Sequence, residues 1–135
     1  MPLSRLDHVS IRTQDVAGTQ AFYEDVLGLR AGSRPPFPFP GAWLYHEDRA
    51  VVHVIGVDPK DASGLKDYLG DRGAGEKGSG NFDHLAFVAT DFEGTREHLA
   101  GKGVPFRERS VPGLKLEQIF VTDPNGITVE LNFPA

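Results

Sequence analysis

Residues 6–11 read Leu-Asp-His-Val-Ser-Ile, and residues 82–87 read Phe-Asp-His-Leu-Ala-Phe. The second stretch repeats the pattern of the first, and this repeat is the strongest indication of the fold. Internal repeats set the architecture of a chain and are sought before anything else. The two stretches lie 76 residues apart, and five of the fourteen positions from Leu6 to Thr19 are identical in the second copy. Average residue usage would give roughly one identity. The chain is therefore predicted to be a duplication.

The far ends of the two copies also match. Residues 50–53, Ala-Val-Val-His, align with residues 127–130, Ile-Thr-Val-Glu, and Trp43 aligns with Phe120. A chain of 135 residues suits a single domain. We therefore expect one domain built from a first module at about 4–57, a linker at 58–80 and a second module at about 81–135.

Each copy reads as one strand, one helix and three further strands. β-Branched and apolar residues predict the strands, and Asp15 and Asp91 are placed to cap the two helices, which glycines end. Asp-Pro-Asn-Gly at residues 123–126 predicts a tight turn before the last strand. The strands expected in the first copy lie at 6–13, 29–33, 42–45 and 51–57. Those expected in the second copy lie at 82–87, 104–109, 114–122 and 127–133. The predicted fold class is α+β, with two βαβββ modules.

Composition excludes several kinds of function. The net charge is −5, and no cluster of Lys and Arg predicts a nucleic-acid partner. The chain has no cysteine, so a thiolate metal site is excluded and any metal must be held by nitrogen and oxygen. The sequence shows no signal-peptide pattern and no apolar run near the ~20 residues that cross a bilayer, so we expect a cytoplasmic protein without a membrane partner.

Four residues of metal-ligand type fall at matched positions of the two copies. A single strand histidine is more often structural, which is our interpretation of His46 and His98, but the duplication puts His8 and His84 at equivalent sites. Glu130 lies in an apolar strand, where an uncompensated carboxylate costs several kcal/mol and a cation is the natural compensation. His53 is either a further ligand or a hydrogen-bonding neighbour of the ligands. The predicted metal ligands are His8, His53, His84 and Glu130.

These motifs, in this order, resemble the vicinal oxygen chelate superfamily, which includes glyoxalase I, extradiol dioxygenases and the fosfomycin- and bleomycin-resistance proteins. The resemblance covers nearly the whole chain. It implies paired modules that form a cup-shaped sheet around one divalent metal, commonly in a homodimer, with ligands on the first and last strand of each module. Nitrogen and oxygen ligands do not distinguish nickel, zinc, manganese and iron.

One residue departs from the glyoxalase I pattern. Where that pattern has a proton-transferring Glu, this chain has His53, and a metal-bound imidazole is a much poorer base. We expect Glu130 and His53 to be the catalytic residues. The leading interpretation is a metal-dependent lyase or isomerase whose small substrate chelates the metal through two adjacent oxygens.

Two other functions stay open. Two histidines and one carboxylate also form the site of non-haem iron(II) dioxygenases, if His53 leaves a position open. A binding protein that holds a planar drug-like ligand, as bleomycin-resistance proteins do, is the third. Strand alternation places further side chains on the face that carries the metal ligands. The candidate substrate contacts are Arg12, Trp43, Tyr45, Gln118 and Phe120.

Overall fold

The computed structural model describes residues 4–58, 78, 82–111 and 114–135. The chain divides into two compact units, Met1–Glu76 and Lys77–Ala135, each of which is described by itself. The predicted linker at 58–80 lies almost entirely outside the described residues. Among the described residues, no helix is long and apolar enough to span a bilayer.

The first unit has the predicted order of one strand, one helix and three strands. Asp15 caps the helix as expected, because its side chain accepts a hydrogen bond of 2.8 Å from the Gly18 amide. The chain leaves the helix at Gly28, whose φ of 80° favours glycine. The elements are β1 (Val9–Thr13), α1 (Val16–Ala21), which widens into a π-helical turn (Phe22–Val26), β2 (Arg30–Gly32), β3 (Gly41–His46) and β4 (Arg49–Gly56).

The second unit repeats this order. Asp91 caps its helix by accepting a hydrogen bond from the Gly94 amide at 3.1 Å. The predicted turn at 123–126 is held by Asp123, whose carboxylate accepts hydrogen bonds from the amides of Asn125 and Ile127 at 2.8 and 2.9 Å. The elements are β5 (His84–Val88), α2 (Phe92–Gly101), β6 (Arg107–Val111), β7 (Leu116–Thr122) and β8 (Thr128–Pro134).

Both sheets have the same topology, and it sets the positions of the candidate ligands. The strand orders are β1-β4-β3-β2 and β5-β8-β7-β6. In each sheet the first and last strands of the unit are parallel neighbours, and the other pairs are antiparallel. The first strand of each copy therefore lies beside the last. This arrangement confirms the predicted α+β fold class of two βαβββ modules.

The apolar face of each sheet packs under its helix. Strand alternation predicts this face correctly on the last strands, where Val52, Val54 and Val129 are almost fully buried. Tyr23 of the first helical segment and Leu99 of α2 are also fully buried. The opposite face of each sheet is left to carry the candidate ligands.

Some predicted strand ends were wrong, and the local backbone explains why. The strand predicted at 104–109 begins only at Arg107. The amide of Val104 instead donates to the carbonyl of Leu99 at the end of α2, and Pro105 has no amide to donate to a sheet. Likewise β1 begins at Val9, and the apolar Leu6 is exposed.

Candidate metal centre

An Asp–His pair stands at the start of the first strand in each unit. Nδ1 of His8 lies 2.7 Å from Oδ2 of Asp7, and Nδ1 of His84 lies 2.6 Å from Oδ2 of Asp83. An ionised carboxylate only accepts hydrogen bonds, so Nδ1 of each neutral ring carries the proton. The lone pair then lies on Nε2. A carboxylate that fixes the tautomer of a histidine in this way is the usual support of a metal-bound imidazole.

The sequence pattern did not lead us to predict a supporting role for Asp7 and Asp83. The sequence carried a signal for them, because Asp7 and Asp83 are identical at matched positions of the two copies. Both side chains are largely exposed, at 75% and 92%. The aspartates are therefore not needed to fill the core, and their visible contact is with the neighbouring imidazole.

In the second unit, His84 and Glu130 form a pair of candidate donors. The Glu130 side chain is only 13% exposed, and its Oε1 lies 3.7 Å from Nε2 of His84. Its Oε2 accepts a hydrogen bond of 2.9 Å from Nδ2 of Asn132. Ligand atoms that bind a metal at about 2.1 Å lie about 3.0–3.6 Å apart at common bond angles. The chemistry of this pair suits a divalent ion, and its separation of 3.7 Å is slightly longer than that range.

The pKa of His84 is raised. The hydrogen bond from its ring to Asp83 is the main cause, and the charge of Glu130 adds to it. Both carboxylates favour the protonated imidazolium, and both would also favour a cation bound in place of that proton. The surroundings of His84 thus attract positive charge from two sides.

In the first unit, His53 lies within a stack of rings. Its ring is parallel to that of His8 at 3.7 Å between centroids and to that of Trp43 at 4.0 Å. Nε2 of His53 lies 3.2 Å from the carbonyl oxygen of Ala50, which can only accept, so Nε2 carries the proton and donates. Burial lowers the pKa of His53, and the neighbouring His8 lowers it further. The neutral ring is therefore favoured.

This stack bears on whether His53 is a ligand. The lone pair of a neutral imidazole lies in the ring plane, and here it is on Nδ1. Two parallel rings 3.7 Å apart do not direct their lone pairs at one ion without a ring rotation. Nε2 of His8 carries the lone pair that a metal ligand needs, and the ligand roles of His8 and His53 both stay predictions. A cavity of about 290 Å³ adjoins His53 and is lined by Trp43, Tyr45 and Arg49, among others.

The described residues of each unit, taken by itself, include no complete metal site. Within each unit, the described residues include no group of three or more His, Cys, Asp or Glu side chains that could hold an ion. The first unit offers His8 and His53, and the second offers His84 and Glu130. A larger cavity of about 670 Å³ in the second unit contains no histidine, so it is not the candidate centre.

The candidate substrate contacts have different surroundings. Arg12 is exposed on β1, and the Tyr45 hydroxyl donates a hydrogen bond of 2.6 Å to the carbonyl of Ser33. Gln118 is buried and bonds to Asn132. Phe120 lies under the guanidinium of Arg107, which is 4.4 Å from the ring centroid. Arg107 was not anticipated, since nothing in the sequence sets it apart from other surface arginines.

An aromatic cluster extends the ring stack of the first unit. The parallel rings of Phe37 and Phe39 have centroids 5.2 Å apart, and Phe37 also contacts Trp43 at 6.3 Å. The guanidinium of Arg34 lies over both phenylalanine rings and donates to the carbonyl of Phe39 at 2.8 Å. Phe39 packs on Ile55, on the same strand as His53. The cluster gives this face a wall suited to planar ligands.

Comparison with known families agrees with this architecture. The model of the Glyoxalase/Bleomycin resistance protein/Dioxygenase superfamily matches residues 5–131. The chain belongs to this superfamily. The resemblance stated from the sequence is thereby confirmed, and members of the superfamily typically bind a divalent metal.

Curated members of the superfamily that match the chain include two enzymes named for glyoxalase activity. Glyoxalase I of Saccharomyces cerevisiae is 27% identical over 150 residues, which cover 96% of this chain and 45% of that protein. Glyoxylase I 4 of Arabidopsis thaliana is 26% identical over 137 residues, which cover 96% of this chain and 70% of that protein. The chain thus spans about half the length of the yeast relative.

Solved structures share the fold of this chain. A glyoxalase/bleomycin resistance protein/dioxygenase from Nocardioides superposes with a TM-score of 0.71 at 19% identity, covering 99% of this chain and 85% of that one. TnmS3, an antibiotic binding protein from Streptomyces, gives a TM-score of 0.68 at 18% identity, covering 100% and 99%. The same fold therefore occurs in a protein named for binding an antibiotic.

Proposed function

We propose that this chain is a metal-dependent enzyme of the glyoxalase type, a lyase or isomerase whose small substrate chelates the metal through two adjacent oxygens. The observation that carries the proposal is the pair of Asp–His units. Each holds the Nδ1 of a first-strand histidine and leaves Nε2 with its lone pair. The names of the curated relatives give additional support for an activity of the glyoxalase type.

His8, His84 and Glu130 are the residues we expect to hold the metal, which is nickel, zinc, manganese or iron. When bound, a divalent ion of this kind supplies Lewis-acid stabilisation of negative charge on the substrate oxygens. Three protein donors leave enough coordination positions for two substrate oxygens. Asp7 and Asp83 keep the histidines in the ligating tautomer.

His53 is proposed to move protons rather than to bind the metal. Its Nε2 donates a hydrogen bond to the carbonyl of Ala50, and the stacked rings of His8 and Trp43 hold the His53 ring in place. Nδ1 is then the atom that accepts a proton from substrate carbon. An imidazole outside the coordination shell is a much better base than a metal-bound one, because its lone pair is available. Glu130 is the second proposed catalytic group.

A non-haem iron(II) ring-cleavage dioxygenase is the second candidate. The specific observation in its favour is again the stacking of His53. If His53 stays outside the shell, His8, His84 and Glu130 are the two histidines and one carboxylate of an iron(II) oxygenase site. The same donors serve either chemistry, so the substrate and the metal must distinguish them.

A non-catalytic binding protein of the drug-resistance type is the third candidate. It is favoured by the aromatic cluster of Phe37, Phe39 and Trp43, which suits a planar ligand. The likeness in fold to an antibiotic binding protein is compatible with it. The Asp–His pairs count against it, because a site that binds its ligand only by aromatic stacking does not require histidines in a fixed tautomer.

The chain is also proposed to act as a homodimer. The reason is that the four predicted ligands are divided between the units, His8 and His53 in the first and His84 and Glu130 in the second, so a complete site is expected to need one unit of each kind. A second copy can supply the missing unit as well as the same chain can. The expected partners are thus a second copy and a small-molecule substrate.

Metal analysis combined with a substrate screen tests the proposal. Protein purified without chelator should carry about one metal ion per chain, and Glu130→Ala should lose it. Nickel-, manganese- and iron-loaded protein is then offered hemithioacetals of 2-oxoaldehydes, catechols and 2-oxo acids, with metal-free protein as the control. Turnover of the hemithioacetals supports the lyase. Oxygen consumption with catechols supports the dioxygenase, and tight aromatic binding without any turnover supports the binding protein.

A further inference from the structure

A chain of three hydrogen-bonded side chains runs across the second sheet and ends on Glu130. Nε2 of Gln118 donates to Oδ1 of Asn132 at 2.9 Å, and Nδ2 of Asn132 donates to Oε2 of Glu130 at 2.9 Å. Gln118 on β7 is directly opposite Asn132 on β8, and Glu130 lies two residues before Asn132 on the same face. We call these three residues the amide relay.

The direction of the amide relay is fixed by Glu130. An ionised carboxylate has no proton to donate, so Asn132 must turn its NH₂ group toward it. The Asn132 oxygen then points the other way, and Gln118 must present its own NH₂ group to that oxygen. Turning either amide around would bring two acceptors together. A single charged group thus orients two side chains, one of which it does not touch.

The far end of the relay shows that this direction is costly. Gln118 is 8% exposed, and its Oε1 is a buried acceptor that no donor among the described residues reaches. Buried acceptors without a partner are uncommon in native structures and call for an explanation. With a hydrogen-bond donor at position 130, as in Glu130→Gln, both amides could reverse. The Gln118 oxygen would then accept from the Asn132 NH₂ group, and the Gln118 NH₂ group would take the buried end instead. The orphaned oxygen is therefore a consequence of holding the carboxylate.

We propose that Asn132 and Gln118 are positioning residues that hold Oε2 of Glu130, so that the carboxylate presents Oε1 alone to the metal. The inference rests on the proposed metal site. Oε1 is the oxygen on the side of His84, at 3.7 Å from its Nε2. Without the relay the carboxylate is free to rotate and to present either oxygen or both. Neither amide binds the metal in this role.

Metal titration of four full-length proteins tests the inference. The probe is Mn²⁺ or Zn²⁺ added to metal-free protein against a competing chelator. Asn132→Leu keeps the size of the side chain but donates nothing to Glu130, and it should weaken metal binding about 10- to 100-fold. Gln118→Leu should weaken it less, because Asn132 still reaches the carboxylate. Thr128→Val is the matched control, since Thr128 lies two residues before Glu130 on the same face, and it should bind like the unaltered protein.

A spectroscopic readout separates positioning from a structural role. The infrared carboxylate bands of the metal-bound protein report whether a carboxylate binds through one oxygen or two. The unaltered protein should give the one-oxygen pattern, and Asn132→Leu should lose it. Asn132→Leu protein that is folded by circular dichroism and binds metal with unchanged affinity and bands would overturn the inference. That result would leave the metal site itself standing.

A metal-free measurement keeps the inference testable if the unaltered protein binds no metal. In that case the proposed function fails, but the relay still predicts coupling between two residues that do not touch. The shift in urea midpoint caused by Glu130→Gln should differ between the unaltered and the Gln118→Leu backgrounds. The difference should vanish when residue 132 is Leu. If Asn132→Leu does not fold, Asn132→Ser takes its place, and equal shifts in every background refute the relay.

Discussion

The two units hold equivalent side chains by different forces. His53 on β4 lies opposite Trp43, and Glu130 on β8 lies opposite Phe120, at matched places in the two sheets. In the first unit the side chain is held by parallel rings on both sides. In the second it is held by a hydrogen bond from Asn132, with Gln118 behind it.

The difference follows from the chemistry of the two side chains. A neutral imidazole is planar and has only one proton to place, so rings and a single backbone carbonyl suffice to hold His53. A buried carboxylate gains little from stacking and needs donors instead. One exchange between a histidine and a glutamate at a matched position therefore changes what its neighbours must be. The Asp–His pairs, which make the same contact in both units, are identical.

The largest expected effect is a difference in metal binding between the two last-strand residues. Glu130→Ala and His84→Ala should weaken metal binding by more than about 100-fold, because each removes a proposed ligand. His53→Ala should weaken it by less than about 10-fold, since we place His53 outside the shell. Chelator competition on the purified variants measures all three. Equal losses in His53→Ala and Glu130→Ala would make His53 a ligand and erase the contrast between the units.

The next effect concerns catalysis by the same position. Exchanging His53→Glu makes the last-strand residues of the two units alike and restores the glyoxalase I pattern. The unaltered protein should turn over the methylglyoxal–glutathione adduct weakly, because the ring of His53 is held in its stack and presents Nδ1 in one direction only. A Glu side chain at this position can turn toward the substrate carbon, so His53→Glu should raise the rate about 10- to 100-fold. Initial rates with nickel-loaded protein provide the measurement. His53→Gln is the control, and high native activity that survives it would show that His53 is not the base.

A third effect tests whether units from two chains complete one site. The protein should sediment at about twice 14.7 kDa. If the sites are composite, a mixture of His8→Ala and Glu130→Ala chains should regain about a quarter of the metal sites, since half of the dimers are mixed and each has one intact site. Metal content after mixing and desalting gives the answer. A dimer that regains no metal would place each site within one chain, and a monomer would refute the dimer.

Much of the fold was predictable from the sequence because both copies carry the same local signals for strands and helices. Each copy carries its own helix cap, Asp15 or Asp91, and its own apolar alternation, so two weak patterns support one another. The ligand candidates were found by the same comparison. His8 and His84 share a position, and Glu130 stands out as a charge in an apolar strand.

The supporting contacts were not predictable, because they depend on register and rotamer. Sequence alternation puts Gln118 and Asn132 on one face, but only the pairing of β7 with β8 sets them opposite each other. The stacking of His53 on Trp43 likewise depends on the register of β3 against β4. Strand ends were also missed where the backbone bonds elsewhere, as at Val104.

The smallest expected effect is a difference of sign in the pH dependence of stability. Burial lowers the pKa of His53, so the unfolded chain takes up a proton more readily at that residue. Its contribution to stability is complete above the unfolded pKa of about 6.5 and is lost as the pH falls through the lowered folded pKa. The hydrogen bond to Asp83 raises the pKa of His84. Its contribution is complete below the unfolded pKa and is lost as the pH rises through the raised folded pKa.

Urea unfolding of metal-free protein in chelator, between about pH 5 and pH 8, measures the difference. This range lies above the titration of Asp7, whose pKa is lowered by its hydrogen bond to His8. His53→Gln should make the loss of stability on the acid side shallower, by a few tenths to about 1 kcal/mol at pH 5. His84→Gln should do the opposite on the alkaline side, and by less, because His84 is 38% exposed and solvent screens its partners. If both variants changed the pH profile in the same direction, the pKa values of His53 and His84 would not be shifted in opposite directions, as their contacts indicate.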